Sequence, residues 1–123
     1  MIKTVKLYKI IHRGKNPAVL SLICSELRFA ESFIERLFGL IFKKIKNGQG
    51  FAIKNCNSIH TFWMKYRIDV IFLDSDNKII KQYESLKQFR ITPVIKDACV
   101  IIEFPEFTIH NYMIKTGDRL KFI

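Results

Sequence analysis

Apolar and polar positions along this chain recur with a period near two, the spacing of strands that turn one face to a core. "TVKLYKII" (4–11) combines that alternation with β-branched and aromatic residues and predicts a strand. "HRGKNP" supplies the glycine and proline of a loop, and "AVLSLICSEL" (18–27), apolar nearly throughout, predicts a strand buried on both faces. After the turn "KNGQG" come "GFAIKN", "SIHTFWMK", "RIDVIFLD", "KIIKQYE", "ACVIIEF" and "RLKFI", set apart by turn chemistry such as "DSDNK" and "TGD". One stretch alone has the helical period. Ser32 can cap it, Glu35 three places on completes a capping box, and Phe33, Ile34, Leu37 and Phe38 form a stripe that Gly39 can end. Six or more short strands and one short helix near residues 32–39 predict a mainly β sandwich or barrel, and its non-local contacts predict slow folding.

Composition fits one domain over residues 1–123: 49% of positions are hydrophobic, eleven of them Phe, enough to offset the entropy of ordering. No apolar run reaches the ~18–20 residues of a membrane span. "AVLSLIC" is cut off by Glu26 with no cleavage pattern after it, so no export signal is expected. Three scattered cysteines, Cys24, Cys56 and Cys99, then predict reduced, buried thiols and a cytoplasmic location. The net charge of +10 attracts anionic polymers or lipid head groups. One functional alternative is therefore a nucleic-acid-associated protein using Lys43, Lys44, Lys46, Lys54, Lys65 and Arg67, although the excess is spread along the chain.

The densest chemistry is "HTFWMK" (60–65). Read as a strand, it puts His60, Phe62 and Met64 on one face, with Thr61, Trp63 and Lys65 on the other. A two-residue turn at Tyr66-Arg67 would pair Met64 with Asp69 and set His60 and Asp69 on one face. A three-residue turn would move Asp69 to the Trp63 side. The functional reading is an apolar pocket with His60 and Asp69 as its polar members and Phe62, Trp63 and Met64 around them. The plainer reading has Asp69 accepting backbone or turn hydrogen bonds while His60 caps a strand edge.

Metal chemistry lacks support: Cys56, His60 and Met64 are spaced by four, but zinc partners such as C-x-x-C are missing. Asp74 and Asp76 fit a hairpin turn better than a calcium loop, since the glycine and distal glutamate of that loop are absent. Asp118 in "TGDR" fits a turn in which its carboxylate takes backbone donors. No cofactor motif and no serine elbow is present.

"ERLFGLIFKK", "GFAIKNCNSIHTFWMKYRIDVIFLDSDNKII" and "TGDRLKF" together resemble a family of small bacterial and archaeal proteins, domain of unknown function 192. Its members carry a "GLM"-type motif, an H-x-F-W/G-M motif, a D-I/V-I/V-F-L/I-D strand and a terminal "GDR", and the likeness runs from about Leu27 to Phe122. Ile41 stands where the family has the methionine of "GLM", and the segment "SLKQFRITPVIKDA" matches only loosely. The resemblance implies a compact jelly-roll-like β-sandwich with a minor helix and no established activity. The expected function is a non-catalytic binding or accessory module with a pocket near His60, Trp63 and Asp69, its partner a small ligand or a protein. A second alternative is an enzyme using His60 with Asp69 as an acid–base pair.

Overall fold

The structure, a computed structural model, describes residues 4–12, 14–30, 44–62 and 64–123. The helix predicted near 32–39, with Ser32 and Glu35, lies outside the described residues, as do Lys43 and Trp63. Seven strands form one sheet: β1 (Thr4–Ile11), β2 (Val19–Ala30), β3 (Gln49–Lys54), β4 (Ile68–Leu73), β5 (Ile79–Leu86), β6 (Val100–Pro105) and β7 (Leu120–Phe122). A four-residue helix, α1 (Thr108–Asn111), follows β6.

The spatial order is β5-β4-β6-β3-β2-β1-β7. All neighbours are antiparallel except β2 and β3, which run parallel with Leu27 opposite Gly50. The first strand pairs with the last, Leu7 against Phe122. The mainly β fold is as the pattern predicts; the sheet is not closed into a barrel. The start of β5 and the start of β7 meet through an isolated bridge between Lys78 and Arg119 and three backbone bonds: the Ile79 N–H to the Asp118 carbonyl at 2.9 Å, the Gly117 N–H to the Ile79 carbonyl at 2.8 Å and the Leu120 N–H to the Asn77 carbonyl at 3.0 Å.

Both faces of the sheet are covered. One cluster joins Leu7, Leu27, Ile71, Ile102, Phe104 and Leu120 to Ile109 of α1. The other joins Phe51, Ile53, Val70, Phe72 and Ile101 to Ile59 and Met64 from the irregular segment before β4. Two-sided burial explains why all six residues of β4, "IDVIFL", are buried and why all but Asp69 are apolar. The same reading fails for the first half of β2. Val19, Leu20 and Leu22 are exposed, because β3 reaches only as far as Glu26 and this half pairs with β1 alone.

Among the described residues of "SIHTFWMK" the predicted strand is not formed, and no hairpin turns at Tyr66-Arg67. β4 takes β5 and β6 as its neighbours instead. Residues 57–61 pair irregularly with 90–95: the Thr61 and Thr92 N–H groups donate to the Arg90 and Ile59 carbonyls, each at 2.9 Å, and His60 makes an isolated bridge with Ile91.

Candidate functional site

Asp69 sits near the start of β4, one strand in from the edge, with no exposed surface, so its carboxylate needs internal donors. It finds them in the backbone. The Ser85 N–H donates to Oδ1 at 2.9 Å and the Ile109 N–H to Oδ2 at 2.8 Å. The β4–β5 register shifts between Ile68 and Val70, and Ser85 adopts a left-handed conformation (φ 54), which turns its N–H toward the carboxylate. Asp69 therefore ties the first turn of α1 to the irregular part of β5.

Burial pushes its pKa above 3.8; the donors from Ser85, Ile109 and Phe107 oppose the rise, and the nearby Glu84 charge adds to it. A shallow cleft of about 400 Å³ lies over this point, walled by Asp69, Glu84, Ser85, Phe107 and His110. The Ser85 hydroxyl donates to Glu106 Oε2.

The residues of "HTFWMK" go elsewhere. His60 is half-buried and stacks on Phe62, ring centroids 4.9 Å apart. Phe62 is exposed and Met64 is buried in the core, which corrects the expectation that His60, Phe62 and Met64 share a face. Thr61, expected on the opposite face, is buried: its hydroxyl donates to the Lys87 carbonyl at 2.6 Å and accepts from the Arg90 N–H at 2.9 Å. With no hairpin, the two-residue-turn register that would have set His60 and Asp69 on one face is not realised, nor is the three-residue alternative. The walls around Asp69 are those of the cleft, and His60 belongs to the segment facing residues 89–95.

Two larger hollows adjoin along Lys44–Lys46. The first, about 560 Å³, is lined by Thr4, Glu26, Arg28, Gln49, Gly50 and Phe51 together with Lys44, Ile45 and Lys46. The second, about 470 Å³, combines the same three residues with Asn47, Tyr66, Arg67, Pro105, Glu106 and Phe107. The Arg28 guanidinium lies 5.5 Å from the Phe51 ring centre and the Lys44 ammonium 6.0 Å from that of Tyr66, so aromatic faces help to position both cations. Of the cations singled out in the sequence, Lys44, Lys46 and Arg67 come together here. Lys54 lies over the Phe29 ring at 4.7 Å, and Lys65 is exposed.

Among the described residues no cluster of three His, Cys, Asp or Glu side chains could hold a metal ion. Cys24 is fully buried and its S–H donates to the Gly48 carbonyl at 3.2 Å; burial above all pushes its pKa up to about 11. Cys56 and Cys99 are half-buried rather than buried, and all three are free thiols. Asp74 accepts from the Asp76 and Lys78 N–H groups at 2.9 and 3.0 Å, the hairpin turn predicted there. Asp118 Oδ2 accepts from the Lys115 N–H at 2.8 Å, again as expected of a turn.

Sequence reasoning missed Arg28, Ser85, Glu106 and His110. Ser85 and His110 had no usable sign, since only the tertiary fold brings them to Asp69.

The chain belongs to the family domain of unknown function 192, described as "Uncharacterized ACR", whose model matches residues 18–122. It is 36% identical over 100 residues to a UPF0127 protein of Pyrococcus furiosus, covering 78% of this chain and 85% of that protein. A UPF0127 protein of Pyrococcus horikoshii is 38% identical over 100 residues, covering 78% and 86%. Among solved structures, a candidate transcription regulator of Sinorhizobium meliloti superposes with TM-score 0.74 at 15% identity, over 96% of this chain and 93% of that one. A protein of unknown function from Novosphingobium aromaticivorans gives TM-score 0.71 at 15% identity, over 98% and 84%. At that identity the likeness establishes the fold alone. No helix among the described residues is long and apolar enough to cross a membrane.

Proposed function

We propose that this chain is a non-catalytic binding module that takes a small anionic ligand in the double hollow along Lys44–Lys46. The observation that carries this reading is the convergence of Arg28, Lys44, Lys46 and Arg67 on adjoining hollows walled by Phe51, Tyr66 and Phe107. Among the described residues that line the hollows, the acids facing these four cations are Glu26 and Glu106, and Glu26 already accepts from the Gln49 side chain at 3.0 Å. Cations set against apolar walls, with a few polar groups to orient the guest, are the make-up of a site for a phosphorylated or carboxylated small molecule. An acid–base reading with His60 lacks support, because His60 pairs with Ile91 while the cleft over Asp69 is walled by Glu84, Ser85, Phe107 and His110.

The nucleic-acid alternative keeps one observation in its favour: Lys44, Lys46 and Arg67 share one hollow. Calorimetric titrations with ATP and with a short single-stranded oligonucleotide, each at low and moderate salt, separate the two readings. A pocket ligand gives saturable nucleotide binding with a shallow salt response, weakened about tenfold or more by Lys44→Glu with Arg67→Glu, as expected when charge-assisted bonds are lost. An oligonucleotide held through several phosphates instead loses affinity with a log–log slope of about −0.7 per phosphate contacted. Absence of binding to either probe, or binding indifferent to both substitutions, removes the trough as the site.

A further inference from the structure

The paired segments 57–65 and 87–98 present a surface that the trough does not use. Their inward side chains are committed to the core: Ile59 and Met64 are buried in it, and Ile95 and Ala98 pack against it. Between the segments, Thr61 and Thr92 act as locks. The Ile59 N–H donates to the Thr92 hydroxyl at 3.0 Å, and the Ile95 N–H reaches the Asn57 carbonyl at 2.9 Å. The outward side chains are strongly apolar. Phe89, Ile91 and Val94 are 70%, 67% and 69% exposed, and Phe62 is 37% exposed. Exposed Lys65, Lys87, Arg90 and Lys96 stand among them, with Asp97 the one acid in the two segments.

Phe89 adds a second observation. It adopts a left-handed backbone conformation (φ 58), which a bulky side chain occupies only against strain. Strain retained to hold an aromatic ring out in water points to a use for that ring.

We propose that this ribbon docks on an anionic lipid bilayer. Phe62, Phe89, Ile91 and Val94 enter the boundary between head groups and acyl chains, and Lys65, Lys87, Arg90 and Lys96 reach lipid phosphates. Charge complementarity favours a lipid surface over a protein partner. Protein interfaces deplete lysine at their apolar centres, whereas here exposed Lys65, Lys87 and Lys96 belong to the same two segments as Phe62, Phe89, Ile91 and Val94. At a bilayer a long cationic side chain keeps its head at the phosphates while its stem lies among apolar groups, so the interleaving becomes an advantage. A hydrogen-bonded ribbon also presents these groups already ordered, which lowers the entropic cost of docking.

Co-sedimentation of the full chain with vesicles of phosphatidylcholine alone, and with phosphatidylcholine containing one part in three of phosphatidylglycerol, tests this. The expected result is binding to the anionic vesicles only. Lys87→Glu with Arg90→Glu should weaken it more than about tenfold, near fivefold per basic residue lost. Phe89→Gly should weaken it while leaving the fold intact, because glycine is at ease at that φ; Ile91→Ser and Val94→Ser should act in the same direction. A urea midpoint at or above that of the parent chain for Phe89→Gly excludes misfolding as the cause. Absence of anionic-vesicle binding overturns the proposal. So does binding that the apolar substitutions leave unchanged, which is adsorption through net charge alone. A lipid-free dimer that Ile91→Ser dissociates also overturns it, by assigning the ribbon to a second copy of the chain.

Discussion

Asp69 carries two opposing effects within one side chain: burial disfavours its charge, and donated backbone hydrogen bonds favour it. Burial dominates and the Glu84 charge adds to it, so the pKa in the folded chain is raised above the ordinary 3.8. The stability this group contributes is therefore fully present below 3.8 and is lost as pH rises through the raised value. Asp69→Asn removes that dependence. Urea midpoints of the two proteins from about pH 3 to about pH 7 should show the parent chain losing ground to the variant as pH rises; parallel curves would show that the carboxylate does not titrate differently on folding. Phe89 gives a second test at this scale. Phe89→Gly relieves backbone strain of about 1–3 kcal/mol and adds about 0.5–1 kcal/mol of unfolded-chain entropy, for a net gain of about 1 kcal/mol in denaturant unfolding. The carboxylate was legible as an oddity inside an apolar strand. Its partners were not, because they lie 16 and 40 residues away in the chain and donate from the backbone, which leaves no trace in residue type.

Strands with one clear pattern were legible nearly to the residue. "TVKLYKII" is β1, and "RIDVIFLD" contains β4 with one extra residue at each end. "HTFWMK" has the apolar content of a strand without the pairing of one, since only its His60 makes a β-bridge among the described residues. In the fold Thr61 is buried and hydrogen-bonded through its side chain, and Phe62 is exposed. Satisfied threonines inside and unsatisfied aromatics outside invert the rule on which alternation rests. In β2 the error was one of extent, since burial follows the neighbouring strand and β3 stops short. Substitution should register this contrast along a single sheet. Ile102→Ala, at a fully buried position, should cost about 2–5 kcal/mol. Leu22→Ser, on the half of β2 that only β1 covers, should change stability by less than about 0.5 kcal/mol in the same urea assay.

For the whole molecule, the thiols report on opening. Cys24 is fully buried with a pKa pushed up to about 11, whereas Cys56 and Cys99 are only half-buried. Under native conditions near neutral pH a thiol reagent should label Cys56 and Cys99 readily and leave Cys24 to react only at the rate of global unfolding. Labelling of all three at one fast rate would mean that the sheet opens locally around β2. Charge at this scale was legible as a total but not as a pattern. A net +10 does not say that Arg28, which the sequence reading passed over, would join Lys44 and Lys46, or that Lys87 and Arg90 would flank exposed apolar groups.

The pairing of Leu7 with Phe122 has a consequence for how the protein is made. While the ribosome is still extending the polypeptide, β1 waits with one flank bare, since the segment that covers it lies far downstream in the chain. Until that segment emerges, the nascent sheet offers a vacant border to any passing extended peptide, and a cell making this protein quickly has reason to keep a chaperone close by.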